Sequence, residues 1–308
     1  MNLIRNCSAL MFCIASLLIL LLHTSTKSFA QEIEPRAYSN LPTGSNFIVL
    51  NYNYTTGNII SDATSPIKDL DVNSNTIVSA YMRTFPLFGK LARVQVSLPF
   101  SFLSGSAKLA GRDTSATRTG LADMRVRFGI NLFGSPALDI QNYLKHKDGT
   151  IFGASFVVQV PIGQYYEEKL INLGTNRWGF KPEIGLSHRI ENFYGELYTG
   201  VWFFTSNNEF LKTNTQSTDP LFNIQGQVNY VFNNAMWAGV NVAYSNGGDV
   251  KVNDVSTNAE QDNWRFGGVF STALSKNIAV KLQYHTGAVV RRGSDFDFYS
   301  LSLQYFWL

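Results

Sequence analysis

Cysteine is close to absent from this 308-residue chain: Cys7 and Cys13 are the only two, and both fall within the first thirty residues. Those thirty residues read as a secretory leader. Arg5 supplies a basic start, Cys7 to Leu22 an apolar run, and Ser28-Phe29-Ala30 the small residues of a cleavage site, so a cut is expected after Ala30. A mature chain from Gln31 would then carry no thiol for a disulfide, a metal cluster or a covalent nucleophile. Long apolar runs are missing as well. The leader's run is marginal for a span and stops at polar His23-Thr24-Ser25-Thr26-Lys27, and nothing of helix-spanning length follows Leu22. If the mature chain enters a membrane, it has to do so as a closed barrel. An excess of one charge is also lacking. Arg5 and Lys27 leave with the leader, so 23 of the 25 Lys and Arg face 22 Asp and Glu, which gives no support to nucleic-acid binding. Disorder is excluded by the 45% of hydrophobic residues against 15% charged.

What the sequence has in quantity is alternation with a period of two. Phe222, Ile224, Val228, Tyr230 and Phe232 alternate with Asn223, Gln225, Gln227 and Asn229, one face apolar and the other amide. Met124, Val126, Phe128, Ile130 and Leu132 likewise oppose Asp123, Arg125, Arg127 and Asn131. The pattern predicts about twelve strands, near 46–57, 75–84, 91–103, 119–132, 151–161, 178–188, 193–204, 221–232, 235–245, 263–274, 278–288 and 296–307. Each is close to the ten residues that a tilted membrane strand needs.

A soluble sandwich would show the same alternation, so the connections decide. Tight joins at Phe85 to Lys90, Arg189 to Asn192, Asn233-Asn234 and Ser275 to Asn277 alternate with polar loops such as Thr205 to Asp219 and Asn246 to Asp262. Short turns at one rim and long loops at the other are the plan of an outer-membrane barrel. One join that should be short is not: Gly134 to Thr150 is long, and Pro136 to Leu144 has apolar positions spaced as in a short amphipathic helix near the inner rim. The fold expected is therefore all-β, a transmembrane antiparallel up-and-down barrel over residues 46–308, preceded by a segment, 31–45, that lies in the periplasm or folds into the bore as a plug. Trp178 and Trp264 are expected in the lipid-facing girdle of the outer rim and Trp307 at the inner one, whereas Trp202 and Trp237 carry lumen parity.

The chain ends inside an alternating aromatic strand, Phe298 to Leu308. It resembles the terminal segment that barrel-assembly machinery recognises, with Leu308 where Phe is usual and Trp307 just before it. Longer stretches resemble a family. Glu34-Pro35-Arg36-Ala37-Tyr38-Ser39-Asn40-Leu41-Pro42-Thr43-Gly44-Ser45-Asn46-Phe47, Gly120-Leu121-Ala122-Asp123, Pro161-Ile162-Gly163-Gln164-Tyr165, and Asn172-Leu173-Gly174-Thr175-Asn176-Arg177-Trp178 with Phe180, Pro182 and Gly185 are similar to an outer-membrane transporter family labelled for the meta-cleavage pathway of phenol degradation. Membership implies movement of small compounds, aromatic ones among them, across the outer membrane of a Gram-negative bacterium. After the tyrosine of the third motif this chain has Tyr166 before Glu167 and Glu168, a departure from the acidic residue usual there.

By parity the bore is lined by Arg83, Arg93, Arg125, Arg127, Lys181, Arg265 and Lys281 against Asp123, Glu183 and Glu196, with His285 near the outer end. Three acids cannot pair seven bases, so cations are expected to face an anionic solute unless a hydrogen-bond network fills the bore. Arg93, Arg125 and Arg127 should form a patch on one wall and favour anions. The reading is a channel for small, anionic or aromatic solutes, and the alternative is a closed barrel with a structural or surface-interaction role. Its partners would be outer-membrane lipid and lipopolysaccharide, the assembly machinery and the solute, with no nucleic acid. No catalytic residue is expected. A lipid hydrolase would need a His beside a Ser on the lipid side near the outer leaflet. His146 lies in the long join, His188 sits at the inner rim, and His285 points inward with Ser300. No metal or other cofactor is expected either, since Asp62, Asp69 and Asp71, and Asp249, Asp254, Glu260 and Asp262, lack calcium-loop spacing.

Overall fold

A computed structural model of the chain describes residues 34–60, 67–109, 112–233, 235–290 and 293–308. The leader, its cleavage site and Asp62 lie outside the described residues.

Seventeen strands account for most of the chain: β1 (Asn46–Ile60), β2 (Ile67–Leu87), β3 (Lys90–Leu109), β4 (Arg112–Leu121), β5 (Met124–Phe133), β6 (Thr150–Val160), β7 (Gly179–Ile190), β8 (Phe193–Phe204), β9 (Asn207–Phe210), β10 (Asn214–Thr218), β11 (Leu221–Asn233), β12 (Met236–Gly247), β13 (Val250–Val252), β14 (Val255–Ser256), β15 (Gln261–Ala273), β16 (Ile278–Val290) and β17 (Gly293–Trp307). Twelve positions form one antiparallel ring, β1-β2-β3-β5-β6-β7-β8-β11-β12-β15-β16-β17, which closes where β17 pairs with β1 from Asn46↔Trp307 to Ile60↔Gly293. Closure leaves the ring without a terminal edge strand, the condition for a sheet to survive in lipid.

The fourth position differs from the single strand expected over 119–132. It is β4 and β5 end to end on β3, broken at Ala122 and Asp123. The break turns the Asp123 carboxylate toward a loop that it anchors, as described below. β2 and β3, of 21 and 20 residues, are about twice the length that a tilted span needs, so their paired ends around Ile67 and Leu109, opposite the turn that joins them, stand beyond the ring at the long-loop rim.

The distribution of polarity is inverted relative to a soluble sandwich. Val228 and Val240 are 51% and 67% exposed, whereas Asn229 and Asn241, their neighbours in the chain, are buried. A two-sided sheet in water would do the opposite. A band of exposed Leu, Ile, Val, Phe and Tyr around buried Asn, Gln and Ser is what a hydrocarbon solvent selects. Trp178 and Trp264 stand outward, and Trp307 stacks with outward Tyr305.

At the short-turn rim, periplasmic in such barrels, β2 and β3 are joined by Phe88-Gly89 alone, with φ of 50° and 70°. Positive φ at both central residues is the two-residue turn that matches strand twist. The long join between β5 and β6 holds one helical turn, Ile140–Tyr143, shorter than the expected 136–144 because it starts only where the Asp139 side chain caps the Asn142 N–H. At the opposite rim, the two polar loops form a structure that alternation did not reveal. β9 and β10 from one loop and β13 and β14 from the other build a four-stranded sheet outside the barrel, joined across the loops at Gln216↔Val252 and by the Lys251–Asp219 ion pair.

Candidate functional site

Inside the ring, one wall is crossed by residues 34–45. The segment enters at the short-turn rim, where Thr84, fully buried, accepts from the Ser45 N–H and donates to the Pro42 carbonyl. Deeper in, Arg93 of β3 donates to the carbonyls of Ala37 and Ser39, both at 2.7 Å, and the Asn131 amide of β5 donates to the Tyr38 carbonyl. The Tyr38 hydroxyl lies 3.1 Å from both Ser155 of β6 and Glu183 of β7. Arg127 of β5 pairs with Glu34 and, at 2.5 Å, with Glu183. Glu196 of β8 accepts from the Arg36 N–H, from Asn229 and from Ser187. The Arg36 guanidinium stands over the rings of Tyr194 and Trp237.

The wall is cut to receive this segment. Gly153 and Gly185 face each other across β6 and β7, and a Cβ on either would overlap the Tyr38 ring. Tyr38, Ala37, Ile151 and Tyr198 close the pocket, with Tyr38 edge-on to Tyr198 at 5.0 Å. Burying such a ring contributes on the order of 1.5–3 kcal/mol.

A second segment, residues 161–178 between β6 and β7, closes over the other rim, and three of the quoted motifs meet there. Asp123 accepts from the N–H groups of Gly163 and Thr175, from the Thr175 hydroxyl and from Gln159. The Gln164 N–H donates to the Leu121 carbonyl, and a Cβ on Gly163 would lie 2.7 Å from the Gly174 Cα. From this knot the loop reaches inward. Ile171 packs on buried Val72 and Phe296 beside Leu103 and Ala107, and Arg118 donates to its carbonyl. Asn176 and Arg177 tie the loop to Asn207 and Thr218 at the base of the outer sheet. Burial pulls the Arg177 guanidinium down to about 10 against the pull of Asp123, which leaves it charged at neutral pH.

A cavity of about 180 Å³ is lined by residues of β5, β6, β7, β8, β11, β12 and β15. Its lining includes Arg125, Lys181, Glu183 and Trp202, with the amides of Gln159, Asn223, Gln225 and Gln261. Arg125 and Lys181 both stand over Trp202, 5.8 and 5.4 Å from the ring centroid, and Phe204 stacks on the same indole at 5.9 Å. Lys181 also reaches Glu183 at 2.9 Å. The two tryptophans of lumen parity thus each meet a cation, Trp237 at one end of the bore and Trp202 in the cavity.

Of the eleven residues read as lining the bore, one is corrected. Arg83 shares the face of exposed Ile77 and Tyr81 and is itself exposed at the short-turn rim; its parity is that of the lipid side, and inward Thr84 holds the segment instead. Asp123 is buried but serves the mouth loop. Arg93, Arg127, Glu183 and Glu196 engage the amino-terminal segment, while Arg125 and Lys181 line the cavity. The arginine patch is therefore divided: two of its three members hold a segment of the same chain. Arg265, Lys281 and His285 sit inward on the far wall, Arg265 fully buried between exposed Trp264 and Phe266, Lys281 beside buried Ser271 and Ser302, and His285 stacked on Phe298 at 5.5 Å. Sequence reasoning missed Tyr38 and its glycines. A signal was present, since paired glycines at inward parity on adjacent strands mark a close approach. Among the described residues, no group of three His, Cys, Asp or Glu is placed to hold a metal.

The architecture is shared with solved outer-membrane proteins. The chain is similar to an outer membrane channel from Pseudomonas putida F1, at 18% identity and a TM-score of 0.75 over 90% of this chain and 100% of that one. It is also similar to the transport unit of the autotransporter AIDA-I from Escherichia coli, at 9% identity and 0.53 over 90% and 93%, and to the beta domain of the Bordetella autotransporter BrkA, at 11% and 0.50 over 85% and 99%. At these identities the likeness is one of fold. No curated protein matches the chain in sequence. Residues 43–303, nearly the whole barrel, match the family described as "Putative MetA-pathway of phenol degradation", and the chain belongs to that family.

Proposed function

We propose that this protein is an outer-membrane channel for small solutes whose bore is closed by its own amino-terminal segment. The observation that carries this reading is the fit of residues 34–45 to the wall. Six strands, β2, β3, β5, β6, β7 and β8, supply hydrogen-bond partners to the segment, and two paired glycines leave the space that Tyr38 fills. A bore meant only to be filled needs no separate segment, because side chains alone fill small barrels. The solute class follows from the lining: cations outnumber carboxylates and stand on aromatic rings, which suits small anionic or aromatic compounds. The apolar band fits outer-membrane lipid and lipopolysaccharide. The final strand, which closes the ring against β1, fits handling by barrel-assembly machinery.

Single-channel recording tests the reading. The mature chain should give rare, small openings, and deletion of residues 31–41 should give a stable and larger conductance with the barrel still heat-modifiable on gels. A deletion variant that is assembled yet silent would favour a closed structural barrel.

A further inference from the structure

We propose that residues 134–149, the long join between β5 and β6, form a flap across the short-turn mouth of the barrel, and that this flap must lift before the amino-terminal segment can leave the bore. This rests on the segment being the closure of the channel and names what controls that closure from the periplasmic side.

The flap clasps the root of the segment from both of its ends. The buried Asn40 amide accepts from the buried Ser135 hydroxyl at 2.7 Å and donates to the Asp148 carboxylate at 3.3 Å. The Leu138 carbonyl accepts from both the N–H and the hydroxyl of Thr43, at 2.7 and 3.0 Å. Tyr143, in the helical turn, stands close enough to feel the same groups: burial pushes its phenol up, Asp148 adds to the push and Arg36 opposes it. The segment's own pivot lies just past these contacts. Gly44, with φ of 85° and open space where a Cβ would stand, separates the clasped residues from Ser45, which is fixed to Thr84 of the wall. A swing of residues 34–43 about Gly44 toward the periplasm has to break four hydrogen bonds to the flap, and lifting the flap breaks the same four at once.

The flap itself is lightly fastened. On one side it meets the turn between β2 and β3 through the antiparallel bridge Lys90↔Pro136, flanked by two hydrogen bonds, from the Leu91 N–H to the Ser135 carbonyl and from the Ala137 N–H to the Gly89 carbonyl. On the other side Asp148 accepts from the Tyr194 hydroxyl of β8 at 3.0 Å. The helical turn buries none of its residues, and Leu144 just after it is 75% exposed. A part held by a few hydrogen bonds, with little apolar burial, opens at a small fraction of the free energy needed to unfold the strands around it. Gly134, with φ of 76°, forms its foot, at a place where a Cβ would run into the Thr150 carbonyl. The mouth is therefore closed by a weak element that carries the fastening of a strong one.

The test pins the flap to the barrel without touching the segment. Lys90→Cys with Pro136→Cys puts a disulfide across the bridge, where paired residues flanked by hydrogen bonds have Cα atoms about 4.5 Å apart, within disulfide range. Hydrogen–deuterium exchange on the full mature chain in detergent reads the segment, and single-channel recording reads the consequence. With the cross-link formed, exchange of the peptide holding Asn40 to Gly44 should slow by roughly tenfold or more, spontaneous openings should become rarer by a similar factor, and reductant should restore both. Ser135→Ala with Asp148→Ala removes the flap's side of the Asn40 clasp and its contact with β8, and should speed the same exchange by about tenfold. The proposal is overturned if a fully cross-linked chain exchanges that peptide as fast as the reduced one, or if the paired alanines leave exchange unchanged. Each variant decides where the other fails to assemble. A chain that conducts without residues 31–41, but whose segment ignores the cross-link, keeps the channel and loses the flap. One whose segment obeys the cross-link but which never conducts keeps the flap and loses the channel.

Discussion

The amino-terminal segment and the mouth loop both reach into the bore, from opposite rims, and they are held by different chemistry. The segment meets Arg93, Arg127, Glu183 and Glu196, charged groups buried in the wall and contributed by separate strands. The loop is fixed at its root by one carboxylate, Asp123, and at its tip by the apolar contact of Ile171 with Val72 and Phe296. Buried ionic contacts act nearly all or none, because removing one partner strands the other in a poorly solvated space. Apolar contact weakens in proportion to the area lost. On the proposed reading the segment should behave as a two-position element, in or out, and the loop as a graded constriction.

The sharpest way to break this comparison is Arg127→Gln. The substitution leaves Glu34 and Glu183 facing each other with one cation fewer, and breaking a buried pair of this kind costs about 3–5 kcal/mol. Each 1.4 kcal/mol is roughly a factor of ten in population. The ratio of closed to open molecules should therefore fall by about two orders of magnitude or more, and single-channel records should shift toward those of the chain lacking residues 31–41. A variant that assembles and remains as silent as the unaltered chain would show that the glycine pocket alone retains the segment.

The two elements also differ in how far the sequence exposed them. Strand positions, tight turns and lipid face were legible because each depends on a period of two and on local turn chemistry, and the twelve ring positions followed. The four-stranded outer sheet was not legible: β13 and β14 are three and two residues long, too short to show alternation, and exist because two loops distant in sequence pair. Arg83 was misassigned because both faces of 75–84 carry apolar residues, Ile77 and Tyr81 on one and Val78, Ala80 and Met82 on the other, so alternation alone did not tell the lipid face from the lumen face. The motifs were visible without their roles. Gly120 to Asp123, Pro161 to Tyr165 and Asn172 to Trp178 each read as a turn, yet they meet in space through Asp123 and the Gly163–Gly174 contact. The segment's partners were legible only as a surplus of inward arginines. Backbone carbonyls of Ala37 and Ser39 answer part of that surplus, and acceptors of that kind leave no trace in a count of charged side chains.

A smaller effect is expected from Asp123→Ala, which removes the carboxylate from two backbone N–H groups and the Thr175 hydroxyl. Hydrogen bonds to a charged group are worth about 1.5–3 kcal/mol each, but both backbone donors can turn to water at the rim, so the net loosening should be about 1–3 kcal/mol. Residues 161–178 should become cleavable by protease added outside intact cells or proteoliposomes, while conductance stays low because the amino-terminal segment is untouched. Opening of the pore by this change alone would mean that the two closures are coupled.

The smallest effect belongs to Ile171→Ala. It keeps the Asp123 root and the backbone bond from Arg118, and removes only part of an apolar contact that the outer rim leaves half-buried. At about 25 cal/mol per Å² of apolar area the loss should be near 1 kcal/mol, well under the cost of an equivalent truncation in a close-packed core. Barrel assembly and the silence of the full chain should be unchanged. In the background lacking residues 31–41, where the loop is the remaining constriction, mean conductance should rise modestly and its fluctuations broaden, since a tip held by area alone samples more positions when the area shrinks. Combining Ile171→Ala with Asp123→Ala in that background should add the two effects, as root and tip share no partner. A sharp jump between two conductance levels in the single variant would make the loop, like the segment, a two-position element, and the contrast drawn between them would fail.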